Sequence, residues 1–392
     1  MLFKESSEAA PRPDQGKRRA ASLAEAFLTT VLKTNAVPAE MQRCPNAERT
    51  CGRGAVSASR MRHVSRTVLP AGVLFLLVAS VPVHAQVFEA LGVRALGMGG
   101  AFVAVADDAT ANYWNPAGLT NVVSSAVLEV QQLETRVGLD PTLREGTRDH
   151  TTFASLAGPF VGLSYYRLRS WQVDRVTGDG VDGDTTAALT SLVTHHAGIT
   201  VVQPFGPSLA VATVMKAVRG TVAVGSGDGG AAVEDLFDQT SQLSGRATTR
   251  FDLDAGVMLS VGAVRVGLVG RNLREPEFAV SDDAGVSLRR QVRAGFSVRP
   301  TGSLVVAVDV DLSIMTTVAG PRRTIAVGAE QQLGRLVVRA GGRVNVEDND
   351  PEPVLAFGLS LEVLSGFFLD GQMTGGGDDG DRGWGVSTRI GG

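Results

Sequence analysis

The sequence predicts an all-β fold: a transmembrane antiparallel β-barrel of about fourteen strands with an N-terminal plug, or hatch, segment. Three observations lead to this prediction: a secretion signal, a glycine-rich segment behind it, and about 270 residues in which apolar and polar side chains alternate. The chain divides accordingly into a disordered or mis-assigned upstream extension at 1–60, a signal peptide at 61–85, a plug at 86–121 and the barrel at 122–392.

The secretion signal occupies residues 61–85. A basic start precedes an apolar run over 71–81, and Val-His-Ala at 83–85 forms a small-x-small cleavage site. The apolar run is shorter than the roughly 20 residues that a spanning helix needs, and a single anchoring helix is the alternative interpretation. We therefore expect cleavage before Gln86 and export of the mature chain, and the barrel pattern described next predicts that it is inserted in the bacterial outer membrane.

Removal of the signal and the extension changes the charge of the chain. Residues 1–85 hold 12 of the 37 basic and 6 of the 40 acidic side chains, which leaves 25 and 34 and a formal net charge of −9. A protein this acidic is not expected to bind nucleic acid. Both cysteines, Cys44 and Cys51, precede the signal, so the mature chain has no disulfide, no cysteine zinc ligand and no cysteine nucleophile.

The barrel strands are predicted from alternation with a period of two residues. In 304–314 every second residue is aliphatic, and the interleaved positions include Asp309 and Asp311. Residues 336–346 and 251–261 repeat the pattern, again with charged side chains on one face only. A tilted spanning strand needs about ten residues, with its charges toward a polar lumen and its aliphatic side chains toward lipid. We expect the lumenal charges to hold water or a plug; a soluble β-sandwich is the alternative fold.

The connections between predicted strands alternate between tight and long. The tight ones lie at Gly158-Pro159, Phe205-Gly206-Pro207, Gly262, Pro300-Thr301-Gly302, Gly334 and around Ser365. The long ones lie at 138–149, 173–190, 220–246, 273–287, 315–321, 347–353 and 375–381. Bacterial barrels have tight periplasmic turns and longer outer loops. Six hairpins, a first strand near 124–137 and a last near 382–390 make fourteen strands.

Residues 86–121 do not alternate and are rich in glycine, which permits close backbone approach. We expect Asp107 to cap a short helix that runs to about Tyr113. We expect Asn115 to cap a second turn that begins with Pro116. The aromatic side chains of Tyr113 and Trp114 need a wall to pack against, and inside a barrel that wall is the lumen.

Three motifs of this segment resemble the hatch signature of the FadL-type hydrophobic-compound channels and of the related PorV/PorQ-like outer-membrane proteins. They are Met98-Gly99-Gly100-Ala101-Phe102, Ala106-Asp107-Asp108-Ala109 and Asn115-Pro116-Ala117-Gly118. The resemblance implies a fourteen-stranded barrel with the segment folded inside as a plug. The chain departs from FadL-type proteins in its polar outer loops, where Val233 to Phe237 with Leu243 form the main apolar exception, and in a last strand that ends Ile390-Gly391-Gly392 without an aromatic residue.

The resemblance also supplies the candidate site residues. It assigns the plug motif to Gly97, Met98, Gly99, Gly100, Asp107, Asp108, Asn115, Pro116, Ala117 and Gly118. We expect Asn115 and Pro116 to keep the plug seated. As a hypothesis, Phe102, Tyr113 and Trp114 line the apolar side of a ligand route.

The sequence predicts no enzyme, cofactor or metal site. The glycines of 97–102 lack the strand–turn–helix context of a dinucleotide site. The acidic segments at 174–184 and 375–381 lack the spacing of an EF-hand loop. His195 and His196 are adjacent, so in a strand they point to opposite faces and cannot share a metal ion.

Two functions follow from the resemblance. The first is passive uptake of hydrophobic or amphipathic small molecules through a plugged barrel. The alternative is a non-transporting barrel of PorV/PorQ type whose partners are secretion-system proteins. An apolar pocket near Phe102, Tyr113 and Trp114 favours transport, whereas a lumen filled with charged pairs favours the interaction barrel. In both cases outer-membrane lipid surrounds the protein.

Overall fold

The structure is a computed structural model that describes residues 88–137, 145–177, 185–280, 285–317, 320–348, 352–377 and 381–391. The predicted extension at 1–60 and the predicted signal peptide at 61–85 lie outside the described residues. Their boundaries stay predictions.

Fourteen strands form one closed antiparallel barrel, as the sequence predicts. Four more, short strands lie in the connections, so the described residues contain eighteen strands. In chain order these are β1 (Ser125–Val137), β2 (Glu145–Ala157), β3 (Val161–Thr177), β4 (Thr185–Phe205), β5 (Leu209–Asp228), β6 (Arg246–Val261), β7 (Val264–Arg271), β8 (Glu277–Ala279), β9 (Gly285–Ser287), β10 (Gln291–Thr301), β11 (Leu304–Asp311), β12 (Met315–Thr317), β13 (Gly320–Arg322), β14 (Thr324–Leu333), β15 (Leu336–Asn345), β16 (Val354–Leu364), β17 (Phe367–Gly375) and β18 (Asp381–Gly391). The short pairs β8–β9 and β12–β13 are separate two-stranded sheets within long connections. The ring closes where β1 pairs with β18, with Ser125 opposite Gly391 and Thr135 opposite Asp381.

Six tight connections join barrel strands at the positions that the sequence predicts. They span 158–160, 206–208, 262–263, 302–303, 334–335 and 365–366. Gly262 and Gly334 adopt φ of 58° and 65°, a conformation that side chains other than glycine rarely accept. Because tight and long connections alternate, all six tight turns lie at one rim of the barrel, and the long connections join the strands at the opposite rim.

The described residues form three α-helices: α1 (Val93–Gly97), α2 (Ala111–Trp114) and α3 (Val233–Gln242). Helix α3 contains the apolar residues Val233 to Phe237 that stand out in the sequence of the 220–246 connection. Its buried side chains Val233, Leu236 and Phe237 pack with Val173 and Leu189 of β3 and β4. Within the described ranges, no helix has the length and apolar character required to cross a membrane.

Strands β3 to β6 are longer than the ten residues predicted from alternation. They contain 17, 21, 20 and 16 residues, so the predicted connections at 173–190 and 220–246 are wrong in their bounds. In these four strands the regular alternation of apolar and polar side chains ends before the strand itself ends. Backbone pairing continues past it, through pairs such as Val173 with Leu189 and Thr186 with Asp228.

The two faces of the barrel wall are those that alternation predicts. Asp309 is 1% exposed and faces inward, whereas its neighbour Val308 lies on the outer face. Most exposed large apolar residues of the strands face outward, among them Leu128, Leu156, Leu163, Ile199, Phe357 and Leu359. A soluble β-sandwich buries its apolar face in a shared core. This wall does the reverse, which supports the membrane barrel.

Candidate functional site

Residues 88–122, called the leader below, lie inside the barrel. The leader forms hydrogen bonds with inward-facing groups on strands around the ring. The Val93 amide donates to Glu129 Oε1 of β1 at 3.3 Å, and the Asn112 side chain donates to Ser155 Oγ of β2 at 2.8 Å. The Phe102 and Val103 amides both donate to Asp309 Oδ2 of β11 at 2.8 Å. Of the two expected roles of the lumenal charges, holding water or holding a plug, Glu129 and Asp309 therefore have the second, because they bind the leader.

The first helical cap predicted for the leader is wrong. Helix α2 begins at Ala111 with Thr110 at its cap position, and Asp107 lies outside the helix. Asp107 is instead drawn into ion pairs with Arg94 at 2.7 Å and Arg299 at 3.0 Å. The local hydrogen bond to the backbone is made by Asp108 instead, whose Oδ1 accepts the Thr110 amide at 2.9 Å.

The second cap, at Asn115, has the predicted geometry. Its side-chain oxygen accepts the Ala117 amide at 3.2 Å, and Pro116 occupies the first position of a 3₁₀ turn over Pro116–Asn121. The same side chain donates to Val103 O at 3.0 Å and to Val257 O of β6 at 3.1 Å. Asn115 therefore joins three separate segments: the turn, the middle of the leader and the barrel wall.

The glycines of the plug motif lie against glycines of the wall. A Cβ at Gly97 would lie 2.9 Å from the Cα of Gly358 in β16. At Gly99, which has φ +71°, it would lie 2.5 Å from the amide nitrogen of Gly342 in β15. Glycine in a strand often marks the close approach of another backbone. The wall glycines were missed in the sequence, although glycine at these strand positions was the available signal.

The remaining plug-motif residues are also placed in close contacts. A Cβ at Gly328 or at Gly341 would collide with the backbone of Met98. Gly118 packs against the carbonyl of Ala106 so closely that a Cβ has no room there. Gly100 and Ala117 are buried as well.

Arg94 of helix α1 is the centre of one ion cluster. Its Nη1 lies 2.7 Å from Asp107 Oδ1 and 2.8 Å from Asp108 Oδ2, and its Nη2 lies 2.7 Å from Glu330 Oε1. Burial raises the pKa of Asp108, but the adjacent guanidinium outweighs burial and holds that pKa below its ordinary value. Glu330 of β14 also pairs with Arg339 at 2.6 Å. This cluster ties the beginning of the leader to the wall.

Glu89, in the 3₁₀ turn over Phe88–Ala90, is the centre of a second cluster. Its carboxylate lies 2.6 Å from Arg293 Nη2 of β10 and 3.5 Å from Arg322 Nη2 of β13. Burial alone raises the pKa of Glu89, but these two cations, together with Arg343, outweigh burial and lower the pKa to about 2. Arg293 also pairs with Asp311 at 2.6 Å. Both clusters carry their charges in a buried environment, where a lost partner is costly.

The three residues of the predicted ligand route form one aromatic cluster. The ring of Trp114 contacts Phe102 and Tyr113 edge to face, with centroids 6.0 and 6.1 Å apart. Tyr113 meets Tyr166 of β3 at 5.6 Å, and the Arg271 guanidinium lies 3.4 Å above the Tyr113 ring. The three side chains are at most 2% exposed, so none faces open space here. That they line a route stays a prediction.

The two adjacent histidines point to opposite faces, as predicted. His196 is buried in the lumen and stacks on Tyr166 with centroids 4.0 Å apart, whereas His195 faces outward and contacts the Tyr165 hydroxyl at 2.8 Å. Tyr166, His196 and Arg271 extend the aromatic cluster and were not predicted from sequence. Across the described ranges, no group of three or more His, Cys, Asp or Glu side chains could hold a metal ion.

Comparison with known protein families gives one partial match. The profile of the family described as "F plasmid transfer operon, TraF, protein" matches residues 167–311, which is less than half of the chain. No curated protein matches the sequence.

Solved channel structures share the fold. The Ralstonia pickettii toluene transporter TbuX aligns with a TM-score of 0.53 at 14% identity, over 78% of this chain and 100% of its own. The Pseudomonas putida toluene transporter TodX aligns with a TM-score of 0.50 at 10% identity, over 78% and 99%. The CymD monoaromatic hydrocarbon channel aligns with a TM-score of 0.50 at 15% identity, over 76% and 96%. The chain therefore has the fold of the FadL-type hydrocarbon channels.

Proposed function

We propose that this protein is a channel of the bacterial outer membrane for hydrophobic or amphipathic small molecules, and that its leader closes the channel. The observation that carries the proposal is the leader inside a barrel of fourteen strands. Barrels of about eight strands are filled by their own side chains, whereas those of about sixteen enclose an aqueous passage. A barrel of intermediate size stays closed only if something occupies it.

The outer wall supports the membrane location. Exposed aliphatic side chains cover it, for example Leu163 and Ile199 at 50% each and Leu355 at 55%. Exposed aromatic residues such as Tyr165 and Trp384 also face outward, the side that meets lipid and the interfacial zone. A lipid bilayer is the environment in which this surface is stable.

The aromatic cluster supports the ligand class. TbuX and TodX are described as toluene transporters and CymD as a monoaromatic hydrocarbon channel. In this chain Phe102, Tyr113 and Trp114 would present ring edges and faces to such a molecule once the leader shifts. Because they are closed in the described conformation, transport requires that the leader move.

The second candidate is a non-transporting barrel that serves secretion or surface assembly. Two observations favour it: the charged clusters around Arg94 and Glu89 hold the leader in the lumen, and the three aromatic side chains of the leader are buried in this conformation. In this function the leader would stay in place and the outer connections would bind the partner.

An uptake experiment separates the two functions. Proteoliposomes with the intact protein should take up toluene faster than empty vesicles, and Trp114→Ala should slow that uptake without admitting ions. Trp384→Ala is the matched control, because Trp384 is 46% exposed on the outer face of β18. Absence of both toluene uptake and toluene binding by the intact protein would favour the interaction barrel.

A further inference from the structure

Three arginines of neighbouring strands lie on the outer face of the barrel. Arg167 and Arg169 of β3 and Arg219 of β5 form no ion pair or hydrogen bond within the described part of the chain. The Nε of Arg167 is buried and has no hydrogen-bond acceptor. These cations contrast with the arginines of the lumen, such as Arg94 and Arg293, which are paired with carboxylates.

The register brings the three arginines together. Arg167 is directly opposite His195 of β4, and His195 is directly opposite Arg219. Neighbouring strands are about 4.8 Å apart, so the Cα atoms of Arg167 and Arg219 lie roughly 10 Å apart across β4. Arg169 is the next outward residue on β3. We call these three residues the arginine row.

The arginine row marks one edge of the apolar outer wall. Toward the tight turns, the next outward residues are apolar, such as Tyr165, Ala197 and Ala217. Toward the long connections, the next outward residues are Trp171 on β3, Val193 on β4 and Thr221 on β5. The row thus holds the first charged side chains that follow the apolar stretch of β3 and β5, and a tryptophan comes next, as in the aromatic girdle at a membrane interface. The row therefore lies where an apolar wall in a bilayer would meet the headgroups of the leaflet on the loop side.

An apolar groove of about 870 Å³ lies beside the row on the same outer face. Ala154, Ala197 and Ala217 are among the small residues that line it, and larger apolar side chains complete the lining. The larger ones include Leu128, Leu156, Leu163, Ile199, Met215 and Phe251. Tyr165 and Ala217 lie two residues from the row along their strands, about 7 Å at the strand rise per residue, and Ala197 lies two residues from His195 between them.

We propose that this face holds one phosphorylated lipid of the outer leaflet, with its phosphate on the arginine row and an acyl chain in the groove. Guanidinium groups bind phosphate through charge-assisted, often bidentate hydrogen bonds, and cations at a membrane surface attract anionic headgroups. The proposal rests on the membrane placement given under Proposed function and is independent of transport.

The test is native mass spectrometry of the full-length protein in neutral detergent, with diphosphoryl lipid A as the probe. We expect one tightly retained lipid. Replacing Arg167, Arg169 and Arg219 together with Gln should weaken retention by at least roughly tenfold. The control variant replaces three exposed arginines outside the row, Arg246, Arg289 and Arg335, with Gln and should retain the lipid as the wild type does.

Two further arms address the headgroup and the groove. A dephosphorylated form of the same lipid should be retained at least roughly tenfold less, and inorganic phosphate alone should not displace the intact lipid. Ala197→Trp, which fills the exposed groove and leaves the charges in place, should also reduce retention. Should the triple variant not fold, Arg219→Gln alone, at an exposed side chain, serves instead.

The proposal is overturned if lipid A and its dephosphorylated form bind equally, or if the row variant and the control variant retain lipid equally. It is also overturned if a second copy of the chain, rather than lipid, occupies this face in the spectra. Toluene uptake is measured separately, so failure of the lipid site and failure of the proposed channel function are distinguishable.

Discussion

Substitution of Arg94 with Gln should release the leader. The side chain of Arg94 is 9% exposed and pairs with Asp108, whose side chain is 0% exposed, and with Glu330 at 11%. Removal of one partner from a buried ion pair costs about 3–5 kcal/mol. In the variant, Glu330 keeps its ion pair with Arg339 and Asp107 keeps its ion pair with Arg299, so Asp108 is the carboxylate most affected. We therefore use the lower limit of this cost.

A loss of about 3 kcal/mol corresponds to roughly a hundredfold shift between the seated and unseated leader, because about 1.4 kcal/mol is a factor of ten. The assay is the open fraction of single barrels in planar bilayers, and we expect Arg94→Gln to raise it by about that factor. The matched control is Arg136→Gln. Its ion pair with Glu234 has side chains 27% and 53% exposed, and exposed pairs contribute about 0–1 kcal/mol. Equal open fractions for the two variants would refute the reasoning.

Three other outcomes follow from the same contacts. Gly99→Ala should unseat the leader whereas Gly366→Ala should not, because both have φ near +70° but only Gly99 has a backbone within contact distance; the open fraction checks this. Val308→Arg should impair membrane insertion, since an arginine at the lipid midplane costs ~2–4 kcal/mol, and Asp309→Asn should insert normally; heat-modifiable mobility on gels reports folding. The pKa of Glu89 is lowered from 4.5 to about 2, so its contribution to seating is complete above pH 4.5 and is lost as the pH falls toward 2, which conductance across that range would show.

Strand positions and tight turns could be predicted because each is a local property. The alternation around Val308 and Asp309 fixes which face of β11 meets lipid, and one glycine or proline is enough to mark a turn. The outward ends of β3 and β4 could not be predicted in this way. Polar residues there occupy both faces, so pairing such as that of Val173 with Leu189 leaves no alternating signal.

The contacts of the leader depend on residues far apart in the chain. Asp107 has the sequence context of a helix cap, but Arg94 and Arg299 compete for its carboxylate and prevail. The cap at Asn115 could be predicted because its main partner, the Ala117 amide, is two residues away. The pairing of Arg94 with Glu330 joins positions 236 residues apart, and no local pattern encodes it.

The central claim is that the leader closes the barrel, and single-channel conductance tests it most directly. The variant lacking residues 88–118 should insert as a folded barrel and conduct ions in planar bilayers, whereas the intact protein should remain closed under the same voltage and salt. A folded deletion variant with the low conductance of the intact protein would contradict the claim, because the leader would then not be what fills the lumen.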